Sequence, residues 1–396
     1  MNINQKNIFT YQNSKIKLRE FVESKLGQYK SKRNYDFGEL DKNYVSGLSP
    51  AISRRIITEI EIIQEVKKQF HYKDVEKYID EICWRTYWKG FLEHYPQIWH
   101  DYLNDIDDFK YFESKEYLNA LNGKTEFNFF NTWVNELKFN GYLHNHTRMW
   151  FASIWIFELE LPWQLGAHFF LQNLLDADPA TNTLSWRWVA GLHTKGKFYR
   201  ASLNNIVKFT NSRFPITNQF KSKVNPILDT RSYQEKKIKF PNYKQSKSTS
   251  GNHGIIFHEE DLSHCNVRKN DFILIQRSHF NPYNQSKTVE EFTNKSLKSF
   301  TELFSSYNVT YFDWNHLETI KTWKNENNIK SISTSYPCIG KLKKPVTDTE
   351  KYLGIKLDYY MHDWDRLFWP HSNKGFFKLK KRIKKNIKVL LDPEQI

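Results

Sequence analysis

The run DADPATNTLSWRW, residues 176–188, brings Asp176, Asp178, Asn182, Trp186 and Trp188 close together. Locally it reads as a turn followed by a helix, and chemically as one wall of a pocket for something flat. A second candidate lies in YIDEICWRTYWKGF, where Glu81, Trp84, Arg85 and Trp88 stand at i, i+3, i+4 and i+7. All four then project from one helix face. By residue type alone the face is first a surface Glu–Arg pair beside a core tryptophan, worth ~0.3–0.5 kcal/mol. An acid, a base and two indoles also suit an unstacked pyrimidine. In NGYLHNHTRMW, His144 and His146 are two apart, which on a helix sends them to different faces and argues against a two-histidine metal site. Reading HNH as a nuclease motif would need further ligands at suitable spacing. Arg148 lies in an apolar segment and needs a buried carboxylate, for which Asp176 is the candidate. His253, His258, Glu259, Glu260, Asp261 and His264 also cluster, and are read as a polar strand end with solvated acids. No metal is expected.

The chain that must position these residues has 396 residues, which predicts two domains. A helical part is expected over 1–225, where LREFVESKL, SRRIITEIEIIQEVKKQF and VEKYIDEICWRTYWKGFLEHY carry apolar residues three and four apart. The stretch MWFASIWIFELELPWQLGAHFFL (149–171) is broken by Glu158, Glu160, Pro162 and Gln164. It reads as two buried helices meeting at a proline and not as a membrane span. A polar segment rich in Lys and Ser, 226–252, predicts a linker. From 253 to 396 the strand-like runs GIIF, DFILIQ, NVTYF and KSISTS alternate with helical stretches, the pattern of a parallel α/β sheet.

A net charge of +15 favours a polyanionic partner such as nucleic acid, and the 16% of aromatic residues can serve a core or a base-stacking surface. The terminal run KGFFKLKKRIKKNIKVL is either a solvated helix face or a phosphate-binding patch. Cys83, Cys265 and Cys338 are scattered, and the start MNINQKNIFTYQN lacks the pattern of a secretion signal. A reducing, cytoplasmic setting is the expectation.

EICWRTYW, GYLHNHTRM and DADPATNTLSWRWVAGL, preceded by GQYKSKR and VSGLSPAIS, occur in an order and spacing that resembles the FAD-binding domain of the DNA photolyase/cryptochrome family. The resemblance implies an all-α FAD-binding domain followed by an α/β Rossmann-like domain, similar to the family's antenna domain but placed after the flavin domain instead of before it. It implies FAD as cofactor and leaves room for a second antenna chromophore of unknown identity. Tyr29, Arg33, Ser46, Ser49, Arg148, Asp176, Asp178 and Asn182 match cofactor-contacting positions, with Asn182 facing flavin N5. A serine-rich turn opening a helix also suits phosphate. Trp186 and Trp163 match the proximal and middle members of the family's electron relay, and its distal position falls near Tyr111. Glu81, Trp84, Arg85, Asn145, Met149 and Trp188 match positions that contact a cyclobutane pyrimidine dimer, while His146 replaces an arginine that helps hold the damaged strand. The branch repairing (6-4) lesions has histidines where this chain has Asn145 and Met149, so the resemblance points away from it. The implied activity is that of a deoxyribodipyrimidine photo-lyase, splitting dimers in damaged DNA by electron transfer from excited FADH⁻. A monomer with no membrane association is expected. Two other readings stay open: a blue-light photoreceptor without repair activity, and a flavin-free basic nucleic-acid-binding protein.

Overall fold

The computed structural model describes residues 9–241, 251–263 and 267–392. The first residues of the chain, residues 242–250 of the expected linker, His264 and Cys265 therefore lie outside the described residues. The helical half runs through α1 (Tyr11–Ser24), α2 (Tyr29–Lys32), α3 (Ser49–Ser53), α4 (Glu59–Lys67), α5 (Tyr72–His94) and α6 (Gln97–Asp108). It continues through α7 (Lys115–Leu121), α8 (Asn128–Asn140), α9 (Asn145–Ser153), α10 (Trp163–Asn173), α11 (Pro179–Val189) and α12 (Leu203–Phe209). Local chemistry sets several of these limits. Thr58 and Glu61 form a reciprocal capping box at the start of α4. Asp178 caps α11 by accepting from Thr181 N at 2.8 Å, with Pro179 in the first turn. Gly141 ends α8 in the left-handed region, φ 66°.

The expected break in the apolar stretch is present. After α9 a π-helical turn covers Ile154–Glu158, and Pro162 then caps α10. Much of the aromatic content is core: Trp133, Trp150, Trp155, Tyr87, Tyr102, Phe130 and Phe151 are fully buried. The described part of the expected linker is not free. Lys236 N donates to His94 O at 2.7 Å, and Arg231 reaches Asp105 at 3.0 Å, which ties it to the helical half.

The second half is a parallel five-stranded sheet in the order β3-β2-β1-β4-β5. Its strands are β1 (Asn252–Phe257), β2 (Phe272–Gln276), β3 (Val309–Phe312), β4 (Ile329–Ser335) and β5 (Asp358–Tyr360). Its helices are α13 (Lys287–Glu302), α14 (Leu317–Glu326), α15 (Lys343–Leu353), α16 (Asp363–Phe368) and α17 (Phe376–Leu391). Strand side chains alternate between two cores. Ile255, Phe257, Ile273 and Ile275 join Val289, Phe292 and Phe300 of α13 in the core that runs on into the helical half. Ile256, Leu274 and Ile332 pack with Ile320 and Trp323 of α14 and Val346 of α15. Helices thus cover both faces, which makes this a doubly wound sheet. Among the described residues no helix is long and apolar enough to cross a membrane.

The acids after β1 are not solvated. Glu259 and Asp261 are buried, paired with Arg54 (3.8 Å) and Arg55 (3.6 Å) of the loop after α3. This is the carboxyl edge where strand order reverses between β1 and β4, the place at which doubly wound domains commonly bind ligands. Here it is closed by the helical half, leaving a cavity of only about 40 Å³. That volume holds a few water molecules. Among the described residues no group of three or more His, Cys, Asp or Glu is placed to hold a metal ion.

Candidate functional site

A cavity of about 540 Å³ opens within the helical half, between α5, α9, α11 and the segment 45–49. That is within the ~300–1,000 Å³ typical of small-molecule sites. The face of α5 supplies Glu81, Trp84, Arg85 and Trp88 together. The start of α9 supplies Asn145, His146, Arg148 and Met149, and α11 supplies Asn182, Trp186 and Trp188. Tyr29, Arg33, Ser46, Ser49 and Asp176 complete the predicted members of the wall.

Asp176 is 2% exposed and takes both Oδ1 and Oδ2 contacts from Arg148 Nη1 at 3.0 Å. Burial alone would raise its pKa, but Arg148 and Arg85 outweigh burial, and the Ser49 hydroxyl adds a hydrogen bond, so the carboxyl is held below its ordinary value. The expected Arg148–Asp176 pair is therefore present at the cavity wall. Asn182 donates Nδ2 to Ala167 O at 2.7 Å, which spends the amide nitrogen on the backbone and leaves its oxygen free for the cavity.

The Glu81–Arg85 surface pair does not form. Arg85 bonds instead to Asp178 and to Asp176 O (3.1 Å), bracing the turn that begins α11. Glu81 faces Arg33 at 3.7 Å, and burial pushes its carboxyl above the ordinary value, with Arg33 offsetting only part of the effect. Such a carboxyl suits a hydrogen bond to a neutral polar ligand better than an exposed acid would. Ser49 opens a helix of only five residues, and its hydroxyl is engaged by Asp176. The phosphate argument therefore rests on hydroxyls and turn amides and not on a helix dipole. His146 bonds Asn34 O through Nδ1 at 3.0 Å and packs on Trp150 at 4.3 Å between ring centroids, so it is held by protein on both counts.

Three predicted residues do not line this cavity. Asp178 serves as the α11 cap and an Arg85 partner, and borders the small cavity between the halves. Trp163 is buried behind the wall, with Tyr102 at 5.9 Å. Tyr111 is 84% exposed, with Lys110 over its ring. The ring in contact with Trp163 is Tyr102, stacked on Trp99 at 5.1 Å. Trp186 has Trp155 at 6.3 Å and Phe170 at 5.1 Å.

Thr181, Ser185 and Tyr142 also line the cavity and were missed by sequence reading. Thr181 and Ser185 follow the helical spacing of Asn182 and Trp186, a signal that could have found them. Thr181 Oγ1 is buried with no protein partner, a donor waiting for a ligand. Aromatic walls, guanidiniums from Arg33 and Arg148, hydroxyls on one flank and this orphan together fit a large, flat, anionic dinucleotide.

The site and fold thus define a helical dinucleotide-binding domain joined to a doubly wound α/β domain. Residues 78–252 match the family described as the FAD binding domain of DNA photolyase, so this part of the chain is similar to that domain, whose cofactor is FAD. A deoxyribodipyrimidine photo-lyase of Agrobacterium fabrum is 29% identical over 180 residues, 44% of this chain and 37% of that one. Another, from Buchnera aphidicola subsp. Baizongia pistaciae, is 27% identical over 226 residues, 54% of this chain and 45% of its own. The chain therefore spans less than half the length of these curated relatives. Among solved structures, a class III photolyase from Agrobacterium tumefaciens matches with TM-score 0.43 and 25% identity over 52% of this chain and 42% of that one. A Synechocystis cryptochrome matches with TM-score 0.45 and 22% identity over 51% and 43%.

Proposed function

We propose that the protein is a light-driven repair enzyme that splits cyclobutane pyrimidine dimers in DNA. The observation that carries this is one cavity whose wall holds both the Arg148–Asp176–Asn182 group and the Glu81–Trp84–Trp188 group. The first suits the flavin and the second suits an extruded pyrimidine pair. When bound, FAD supplies the light absorption and the transferable electron. The chain's own part is placement: Arg148 and Asp176 would hold charge beside the bound flavin, and the Asn182 oxygen would be available to accept a hydrogen bond from it. Glu81 donates or accepts at a pyrimidine, and Trp84 and Trp188 provide flat walls. The dimer must leave the duplex to enter, at a cost of a few kcal/mol, and photolyases are an established example of enzymes that flip their target nucleotide in this way.

The α/β half, with its 3-2-1-4-5 strand order, is proposed as the antenna-like domain in swapped position, with boundaries near 225 and 253. Any second chromophore needs a place other than the crevice at its strand ends, which is too small.

The test is a dimer-bearing oligonucleotide incubated with reduced, flavin-loaded protein, lit and dark, and assayed for restored thymines. The Glu81→Ala variant is expected to keep its flavin and lose one hydrogen bond to the dimer, weakening its preference for damaged DNA by about three- to tenfold and lowering repair yield. Flavin photochemistry with no restored thymines in the wild type would instead make it a photoreceptor. Purified protein that takes up no flavin would support the plain nucleic-acid-binding reading.

A further inference from the structure

The basic terminal helix lies beside the cavity. Phe376, the first residue of α17, stacks on Trp84 with centroids 3.8 Å apart and planes at 10°. Lys380 Nζ reaches Asp80 Oδ2 at 2.6 Å and Glu76 Oε1 at 3.2 Å, both on α5, the helix that carries Glu81, Trp84 and Arg85. Leu379, Ile383 and Ile387 are buried, so the apolar stripe is spent on protein. What remains outside is cationic: Lys378, Lys381, Arg382, Lys384, Lys385 and Lys388 are all exposed. Residues 376–391 contain no acid, and none of these six has an ion-pair partner among the described residues. The field is felt locally, since His371 is held below its ordinary pKa by burial and by Arg382 and Lys378. Phe377, beside the stacked Phe376, is 75% exposed.

We propose that α17 is the second arm of the DNA-binding surface, its cations gripping the phosphates that flank a nucleotide extruded into the cavity. The nucleotide in that statement rests on the repair reading; the grip on DNA does not. A membrane surface would need the apolar stripe that the fold has already buried, whereas a phosphate backbone needs only the cations. From Lys378 to Lys388 the helix rises about 15 Å. That is the span of about four phosphates on one strand.

The experiment uses the full, flavin-loaded chain and labelled duplexes with and without a dimer, titrated from low to moderate salt. In the variant Lys381→Gln, Arg382→Gln, Lys384→Gln, Lys385→Gln, both duplexes are expected to bind at least tenfold more weakly at low salt. The slope of log affinity against log salt is expected to become shallower by about two to three. The substituted side chains are exposed, so an unchanged melting curve and flavin absorbance check the fold. Phe377→Ala is expected to lower the ratio of damaged to undamaged affinity while leaving the slope alone. Retained affinity and slope in the quadruple variant would overturn the proposal, as would lost binding to anionic phospholipid vesicles with DNA binding intact. If the wild type shows no dimer preference but the variant still loses DNA, the repair reading falls and this inference stands. If dimer preference is present and the slope does not move, the reverse holds. A wild type that binds neither duplex removes both.

Discussion

Arg148 and Arg85 meet Asp176 at the cavity wall, with Asp178 just behind it, while Arg54 and Arg55 meet Glu259, Asp261 and Asp365 where the two halves join. Both clusters bury guanidinium against carboxylate, yet their surroundings differ. The first borders about 540 Å³ of space and an unpartnered threonine hydroxyl. The second is closed by further polar protein groups: Lys341 and His279 on Glu259 at 2.8 and 2.5 Å, and His362 on Asp261 at 2.8 Å. Charge arranged around space prepares a site for a ligand, and charge closed on charge locks two domains in register. The lock occupies the strand-order reversal, so the sheet half has given its usual ligand crevice to the interface.

The largest effect that can break this contrast comes from Arg55→Ala. It strands Asp365 and leaves Asp261 only His362 and Ser263 in a buried site, and a loss of about 3–5 kcal/mol in unfolding free energy is expected, read from urea denaturation. Arg148→Ala acts on the other cluster. Asp176 keeps Arg85 and Ser49, so the stability cost is smaller, about 1–3 kcal/mol, while flavin retention on dilution falls at least tenfold. Equal stability losses, with flavin held normally by the Arg148 variant, would make both clusters mere struts.

Acidity offers a second contrast, inside the lock itself. Burial alone would raise Glu259 and Asp261, but Lys341, His279 and Arg54 around the former, and His362, Arg55 and Ser263 around the latter, hold both far below the ordinary range. Their stabilisation is present above the unfolded carboxylate pKa, near 4, and is lost as pH falls. Glu260 runs the other way: burial pushes it up to about 7, with Lys341 and Lys89 offsetting only part. Its contribution is complete below the unfolded value and is lost as pH rises through 7. Glu260→Gln should therefore match the wild type near pH 4 and exceed its stability at pH 8 by about 1–3 kcal/mol. A gain of equal size at both pH values would show that titration is not the cause.

Sequence reading fared differently in the two regions for the same physical reason. Helical period exposed the α5 and α11 faces, and the need of Arg148 for a buried acid pointed to Asp176, because these signals are local or nearly so. Arg85 was drawn to Glu81 by the i, i+4 rule, but a half-buried helix cap about ninety residues on offered the better partner. Glu259 and Asp261 looked solvated because their partners Arg54 and Arg55 lie some two hundred residues earlier, and no period reports such a meeting. The strand DYY of β5 is three residues long, too short to show alternation. The π-helical turn at Ile154–Glu158 reads in sequence as ordinary helix.

The smallest expected effect concerns the aromatic path behind the cavity, where likeness points to Tyr111 and ring contact to Tyr102. Tyr111 stands 84% exposed, whereas Tyr102 lies 5.9 Å from Trp163 and 5.1 Å from Trp99. Tyr111→Phe is expected to leave stability and light-driven bleaching of the flavin absorbance, with a thiol reductant present, unchanged within about twofold. Tyr102→Phe should also cost little stability, within about 0.5 kcal/mol, because the hydroxyl it removes is buried without a partner. That hydroxyl has no hydrogen-bond partner among the described residues, so none of them is placed to take its proton if the phenol is oxidised. Electrons arriving from the surface then depend on the stacked indole of Trp99, and the Tyr102 variant slows bleaching only several-fold. If Tyr111→Phe slowed it more than Tyr102→Phe, ring contact would be a poorer guide to the relay than position in the chain.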